Sequence, residues 1–207
     1  TIGKSVSVTG PGTFFGKAQR TLTFEPSPYP GWWLGRTDLP DSLPIPVSVH
    51  NVWTAARNIV LHCGSPHNYM RMVEHIVALK VGMGLDDVLI KADSGDPPLF
   101  DRSSMDLVEA VEQAGVVVSR PKPATCVTVR EPVTAAAPNG GFLTILPAEG
   151  DSRKLVVDCA VNFRSAIGKQ RIIFPVTRKH FRYGALARTN TTVGMMLYVK
   201  TLGRIFA

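Results

Sequence analysis

Two segments of this sequence bring together side chains that could do chemistry. His62, Cys63 and His67 are imidazole and thiol groups of the kind that bind zinc, but their spacing matches no strong metal-binding pattern. The segment 12–17 has two glycines followed by lysine, as in a phosphate-binding loop, but three residues separate the glycines where that motif has four. We therefore interpret 12–17 as a hairpin turn and predict no metal at the three-residue cluster.

Aromatic and hydroxyl side chains offer two more possibilities. Trp32, Trp33 and Trp53 could stack on nucleic-acid bases. Aromatic residues of this kind more often pack a loop against the core, and we favour that interpretation. Ser103 and Ser104 precede a helical pattern, so we interpret them as helix caps and not as nucleophiles.

The elements that must position these residues alternate between strand and helix patterns. Polar and apolar residues alternate over 6–8 and 20–24, which predicts a hairpin, whereas the Pro- and Gly-rich stretch 25–46 predicts a loop. Further strands are predicted at 59–62, 87–91, 126–130, 142–146, 155–161 and 171–174, and helices at 72–83, 104–114 (ended by Gly115) and 180–187, with 193–205 apolar and unassigned. This mixture predicts an α+β fold.

A proline-rich segment divides the chain in two. Residues 119–123 contain two prolines in three positions, which disfavours a helix and provides a stiff connector. The sequence therefore predicts a first domain over 1–118, a linker over 119–123 and a second domain over 124–207. No apolar run reaches the roughly 18 residues that a membrane-spanning helix needs. Three cysteines without CxxC spacing predict a reducing compartment.

Charge is unevenly distributed along the chain. The net charge is +7, yet residues 1–118 hold nine basic and twelve acidic side chains. After Asp158 the sequence contains no acidic residue, and such a tail predicts an anionic partner, whether RNA, a lipid surface or an acidic protein. The candidate residues for binding this partner are the nine cations that follow: Arg164, Lys169, Arg171, Arg178, Lys179, Arg182, Arg188, Lys200 and Arg204.

Several segments follow one another in the order seen in a known family. They are Thr9-Gly10-Pro11-Gly12 with Gly16-Lys17, Arg36-Thr37-Asp38-Leu39, Val73-Glu74-His75, Gly84-Leu85-Asp86-Asp87-Val88, Pro97 to Ser103, Glu112 to Val116, Ile167 to Gln170, and Ala187-Arg188-Thr189. Together they resemble the UDP-3-O-acyl-N-acetylglucosamine deacetylases, the zinc amidohydrolases of lipid A biosynthesis. The resemblance extends from about Ser5 to Thr189.

This resemblance implies a fold and a set of site residues. The family has two related α+β domains, each a sheet packed on helices, with the active site between them. In this sequence the second domain would be incomplete. Glu74 matches the family's general base, His75 one of its zinc ligands, and Thr189 lies in a segment near the substrate. If the chain is active, these three residues and a zinc ion would therefore be involved.

The sequence also departs from the family at several positions. The family takes its other zinc ligands from a His-Lys-x-x-Asp helix, and none of the five histidines here begins that motif. His180, for example, is followed by no nearby carboxylate. Phe14 stands where the family has a histidine, Met72 replaces a threonine, and Arg102 replaces the glycine of an Asp-Gly-Ser turn.

These departures lead to one main hypothesis and three alternatives. The main hypothesis is a non-catalytic structural subunit, without a cofactor, in a larger organellar assembly such as a mitochondrial ribosome. It would contact RNA, while other protein subunits would cover the second domain. The first alternative is a fragment or one half of a zinc-dependent deacetylase in the bacterial cytoplasm. The others are an accessory subunit of a respiratory membrane complex and a binder of acylated sugars or lipids.

Overall fold

A computed structural model of the chain describes residues 1–13, 18–54, 58–118, 127–150, 154–163 and 168–187. The first half contains the strands β1 (Val6–Pro11), β2 (Gln19–Pro26), β3 (Trp32–Arg36), β4 (Ile45–Pro46), β5 (Val52–Thr54), β6 (Val60–His62), β7 (Tyr69–Met70) and β8 (Val88–Ala92), with the helices α1 (Glu74–Gly82) and α2 (Met105–Ala114). The second half contains β9 (Val133–Ala136), β10 (Phe142–Ile145), β11 (Val156–Phe163), β12 (Gly168–Pro175) and α3 (Arg178–Gly184).

A five-stranded sheet forms the centre of the first half. Its strand order is β1-β2-β8-β3-β4, and every pair is antiparallel except β3 and β8. Strand β8 alternates buried and half-buried residues, so one of its faces lies in the core. The hydroxyl groups of Ser7 and Thr23 are 2.8 Å apart on the polar face of the β1–β2 pair.

Helices α1 and α2 share one hydrophobic core with this sheet. Helix α2 contributes the buried stripe Leu107, Val108 and Val111, at the spacing that places residues on one helix face. Gly115 ends α2 with a φ of +73°, a conformation in which glycine avoids the Cβ clash of other residues. The core side chains with the lowest exposure include Phe24, Leu34, Leu79 and Ile90.

A smaller sheet, with the order β5-β6-β7, lies between β4 and α1 in the chain. Leu61 and Met70 are paired across it and are buried in the core. Because side chains alternate along a strand, the neighbours His62 and Tyr69 lie on the opposite, outer face.

The described part of the second half contains two separate antiparallel pairs, β9–β10 and β11–β12. Large apolar side chains such as Phe142 and Ile173 are exposed on them. Helix α3 instead packs on the first half, where Ala185 is buried and accepts a hydrogen bond from Ser104 N at 3.1 Å.

The α+β class predicted from the sequence is confirmed, as are most of the individual elements. The hairpin of β1 and β2, the strands β6, β8, β10, β11 and β12, and the three helices all overlap their predicted ranges. Helix α3, predicted over 180–187, begins two residues earlier and ends three residues earlier. No helix among the described residues is long and apolar enough to cross a bilayer. The linker 119–123 and the apolar stretch 193–205 lie outside the described residues, so the domain boundaries remain a prediction.

Three predictions about local structure are wrong. The stretch 25–46 contains β3 and β4, because β8 supplies a pairing partner that local composition cannot reveal. Residues 127–130, the described part of the strand predicted at 126–130, form no strand. Ser104 occupies the N-cap position of α2, but its side chain makes no capping hydrogen bond.

Candidate functional site

Glu74 and His75 are the first two residues of α1, and a strained turn leads into them. Met72 has a φ of +55°, in the left-handed region that residues other than glycine rarely adopt. Val73 then occupies the N-cap position, without a side-chain capping bond. Backbone strain of this kind is common near functional sites, where the surrounding structure maintains it.

Two hydrogen bonds connect this turn to the small sheet. The Glu74 Oε2 atom accepts a hydrogen bond from the backbone N–H of Ile59 at 3.0 Å. The backbone N–H of Val73 donates to the Ile59 carbonyl oxygen at 3.3 Å. A carboxylate can accept several hydrogen bonds, so this arrangement orients Glu74 while leaving it able to accept others.

The described residues do not by themselves form a zinc centre. Catalytic zinc takes about three protein ligands. No group of three or more His, Cys, Asp or Glu side chains able to hold a metal occurs in the part of the chain that the structure describes. His75, half-buried beside Glu74, therefore provides one ligand at most.

The histidines of the 62–67 segment have other contacts. The His62 Nε2 atom lies 3.1 Å from the carbonyl oxygen of Gly64, and its ring lies against Trp53. The peptide oxygen of His67 accepts a hydrogen bond from Arg36 at 3.2 Å.

Several predicted site residues lie outside the described ranges. They are Thr189, Phe14 and four of the nine candidate cations, Arg164, Arg188, Lys200 and Arg204. Their proposed roles remain predictions.

Of the five candidate cations that the structure describes, three have partners within the chain. Arg171 makes a bidentate ion pair with Asp158, with Nε 2.8 Å from Oδ1 and Nη2 2.5 Å from Oδ2. These hydrogen bonds lower the pKa of the Asp158 carboxyl group. Arg178 donates to the carbonyl oxygen of Met83 at 3.0 Å. Arg182 forms an ion pair with Glu112 on α2. Lys169 and Lys179 are exposed.

Acidic side chains of α2 thus neutralise part of the excess positive charge of the second half. Glu109 also receives a hydrogen bond from Arg102, which lowers the pKa of Glu109. Because Arg182 approaches both Glu109 and Glu112, α3 is attached to α2 by charge as well as by packing. These contacts weaken the inference of an external anion from composition alone, and the anionic partner remains a prediction.

The three tryptophans differ in their surroundings. Trp32 is buried and its Nε1 donates to the Leu85 carbonyl oxygen at 2.8 Å, while Trp33 donates to the Pro30 carbonyl oxygen at 2.9 Å. Trp32 therefore packs in the core as predicted, whereas Trp33 is half-buried and contacts Tyr29 and Pro30 outside it. Trp53 does not pack in the core, since 55% of it is exposed on the outer face of the small sheet.

The structure contains a cluster around Tyr69 that was not predicted from the sequence. Two guanidinium groups, those of Arg36 and Arg71, lie 5.7 and 5.3 Å from the centre of its ring. Arg36 is held by Asp38 at 2.8 and 2.6 Å and donates to the Tyr69 carbonyl oxygen at 2.8 Å. Gly95 permits this approach, because a Cβ there would lie 2.9 Å from Arg36. The sequence offered one indication of this cluster: Tyr69 and Arg71 are two residues apart, a spacing that places side chains on the same face of an extended segment.

The α+β fold places Glu74 and His75 together at the start of α1, as the resemblance to the deacetylases implies. The sequence model of the family described as UDP-3-O-acyl N-acetylglycosamine deacetylase (LpxC) matches residues 1–205. The chain belongs to this family, as the resemblance implied.

Curated relatives agree with this assignment. A UDP-3-O-acyl-N-acetylglucosamine deacetylase of Trichormus variabilis is 28% identical over 178 residues, covering 86% of this chain and 61% of the relative. A bifunctional enzyme LpxC/FabZ of Chlorobaculum tepidum is 27% identical, covering 91% of this chain and 40% of the relative. A UDP-3-O-acyl-N-acetylglucosamine deacetylase of Brucella ovis is 25% identical over 202 residues, covering 98% of this chain and 68% of the relative. The chain thus spans about half the length of the first two of these relatives.

These relatives favour the deacetylase alternative over the main hypothesis of the sequence analysis. All three have the enzyme's name, and all three come from bacteria. Neither the relatives nor the described contacts support a ribosomal, RNA-binding or mitochondrial protein. The charge asymmetry that suggested RNA is partly explained by the ion pairs between α3 and α2.

Proposed function

We propose that this chain supplies part of a zinc-dependent UDP-3-O-acyl-N-acetylglucosamine deacetylase of the bacterial cytoplasm. The observation that carries the proposal is the placement of Glu74 beside His75 at the start of α1, with the Glu74 carboxylate held by Ile59. The family match over residues 1–205 supports it.

In the proposed reaction, water cleaves the amide C–N bond of the substrate's acetamido group and releases acetate and the free amine. Glu74 would accept the proton that water loses when its oxygen bonds to the amide carbon, and the nitrogen would gain a proton as the C–N bond breaks. A carboxylate in this role contributes roughly 10²- to 10⁴-fold to the rate. The hydrogen bond from Ile59 would hold the carboxylate in one orientation for this transfer.

The metal requires more than this part of the chain provides. His75 would be one zinc ligand, and at least two more are needed. The printed sequence contains no His-Lys-x-x-Asp segment. We propose that the remaining ligands come from a further stretch of polypeptide, either continuous with this chain or contributed by a second one.

The substrate named by the relatives is a nucleotide sugar, and its diphosphate is an anion. The exposed cations of the second half, Lys169 and Lys179 among them, would then serve this substrate instead of RNA. A non-catalytic role in a larger assembly is the second candidate. It is favoured by the substitutions at Phe14 and Met72, which alter positions that the family uses in its site.

The test measures zinc content and acetate release together. The chain is purified alone and with a polypeptide corresponding to the remaining part of the Brucella ovis relative, then supplied with UDP-3-O-acyl-N-acetylglucosamine. We expect stoichiometric zinc and acetate release only in the combined sample. We expect loss of acetate release with Glu74→Gln and loss of zinc with His75→Gln.

One control variant and one overturning result complete the test. Glu112→Gln, a carboxylate on α2 that pairs with Arg182, should leave zinc content and acetate release unchanged. Absence of both zinc and acetate release from the combined sample, with both polypeptides folded and associated, would overturn the proposal in favour of the non-catalytic role.

A further inference from the structure

The outer face of the small sheet β5–β6–β7 presents an aromatic surface that has no role in the reaction as described so far. Trp53 lies on the edge strand β5, with the His62 ring centre 5.1 Å away and the Tyr69 ring centre 6.1 Å away. These three residues define what we call the Trp53 surface. Buried Leu61 and Met70 on the opposite face attach this sheet to the core.

The exposure of Trp53 is not explained by packing. Trp32 is almost fully buried, whereas 55% of Trp53 is exposed. Its neighbours are themselves fixed: Arg71 donates to the Tyr69 hydroxyl group at 2.9 Å, and the Arg36 guanidinium lies over the same ring. The Trp53 ring is therefore held by flanking rings while much of its surface faces solvent, an arrangement suited to stacking with a ligand.

The Trp53 surface is connected directly to the proposed general base. Thr54, next to Trp53, pairs with Val60, and Val60 follows Ile59, whose N–H donates to Glu74. Trp53 is thus two residue positions from Ile59 along the paired strands, at the point where the register shifts between Val52 and Thr54. A ligand group seated on Trp53 would extend a molecule whose reacting amide lies near Glu74.

We propose that the Trp53 surface binds a hexopyranose ring, the sugar of the substrate, as a specificity-determining contact. The proposal rests on the deacetylase function proposed above. A pyranose presents an apolar face of C–H groups that packs on an indole ring, and polar edges that suit the imidazole of His62 and the guanidinium of Arg71. The reacting acetamido group is a substituent of this same ring, so stacking on Trp53 would position it.

The test measures binding of the sugar without requiring hydrolysis. Ligand-observed NMR titration of the full chain uses N-acetylglucosamine, UDP-N-acetylglucosamine and UDP as separate probes. We expect the first two to bind, with saturation transfer strongest at the C–H groups of the pyranose. Trp53→Ala should weaken N-acetylglucosamine binding at least fivefold.

A matched variant and a second substitution distinguish loss of the sugar contact from misfolding of the protein. Trp33→Ala removes an indole from the five-stranded sheet and should leave sugar binding unchanged. Trp53→Phe keeps an aromatic ring and should retain part of the affinity lost in Trp53→Ala. Circular dichroism confirms that each variant is folded.

Each of the other outcomes overturns the proposal. If the sugar binds equally well to Trp53→Ala, it binds elsewhere. If UDP binds and its affinity falls with Trp53→Ala while N-acetylglucosamine does not bind, the surface stacks a base. If no probe binds the folded chain, the Trp53 surface holds no sugar. Because binding is read without acetate release, failure of the proposed deacetylation alone would leave these results interpretable.

Discussion

Gly82 on α1 lies directly beneath the ring of Phe181 on α3, and no atom larger than hydrogen fits between them. A Cβ built at Gly82 would overlap the Cγ and both Cδ atoms of that ring. Arg178 reinforces the same junction by donating to the carbonyl oxygen of Met83, the residue after α1. The position of α3 on the first half therefore depends on the absence of a side chain at one residue.

Replacing Gly82 with alanine will destabilise the protein by about 1 to 3 kcal/mol, because the added methyl group overpacks the contact with Phe181. In a Phe181→Ala background, Gly82→Ala will instead stabilise the protein by about 1 kcal/mol. This is the ordinary preference for alanine over glycine in a helix. Urea unfolding of the two single variants and the double variant measures both effects.

Gly184, the last residue of α3, provides the control. A Cβ there meets no atom within 4 Å, so Gly184→Ala should not destabilise. Equal effects of Gly82→Ala in both backgrounds would show that the Phe181 contact does not determine the fit.

Because the backbone of Met72 is left-handed, we expect glycine to be more stable than alanine at this position, the reverse of the usual order. Met72→Gly will be more stable than Met72→Ala by about 1 kcal/mol, since alanine retains the Cβ clash at φ +55° and glycine does not. The comparison cancels the loss of the methionine side chain, which both variants share. Chemical denaturation measures the difference.

Gln113, exposed in α2, should show the ordinary order, with alanine more stable than glycine by about 1 kcal/mol. Finding alanine preferred at both positions would mean that Met72 is not held in the left-handed conformation.

Asp38 predicts a component of stability that is lost in acid. The hydrogen bonds from Arg36 hold the pKa of Asp38 below its ordinary value of 3.8. A carboxyl group with a lowered folded-state pKa stabilises the protein above its unfolded pKa, and that stabilisation is lost as the pH falls through the folded-state pKa. Stability should therefore decline below about pH 4, and Asp38→Asn should remove part of this decline.

Unfolding free energies measured between about pH 6 and pH 2 test this dependence. Asp41→Asn, at an exposed carboxylate three residues along the chain, should follow the wild-type curve. An Asp38→Asn curve parallel to wild type throughout would show that the Arg36 pair contributes nothing to acid sensitivity.

Glu74 has a structural bond and a proposed chemical role, and two substitutions separate them. Glu74→Ala leaves the exposed Ile59 N–H to water and should cost about 0.5 to 1 kcal/mol of stability. Glu74→Gln retains an amide oxygen as an acceptor and should cost less. Both should abolish the acetate release expected of the combined sample, because neither side chain can accept the proton.

Unfolding measurements and the acetate assay on the same preparations test this separation. Acetate release at the wild-type rate by Glu74→Gln would exclude Glu74 as the base. Equal stability of all three proteins would show that the bond to Ile59 contributes little.

The sequence predicted those parts of the fold that depend on local periodicity. Alternation identified β2, a short apolar run identified β8, and the apolar stripe of Leu107, Val108 and Val111 identified α2. It could not predict β3, whose Pro- and Gly-rich surroundings indicate a loop, because the strand forms only by pairing with β8.

The candidate site was predictable only through resemblance. Glu and His at adjacent positions are a weak signal, and the bond from Ile59 to Glu74 joins two segments fifteen residues apart. The arrangement of Trp53, His62 and Tyr69 depends on the register of three short strands, which sequence spacing does not determine. The pairing of Arg182 with Glu112 likewise depends on where α3 docks, so the sequence showed only surplus charge.

The central position of β8 has a consequence for the order in which the sheet can assemble. The β1–β2 and β3–β4 pairs are local and can close as soon as their residues leave the ribosome, but each then has an open edge. Only when Val88–Ala92 emerges can one strand fill the gap between β2 and β3, at the entropic cost of closing a long loop. A nascent chain that ends before β8 would therefore have two separate strand pairs, β1–β2 and β3–β4, each with an exposed edge. Exposed strand edges are prone to pair with strands of another chain.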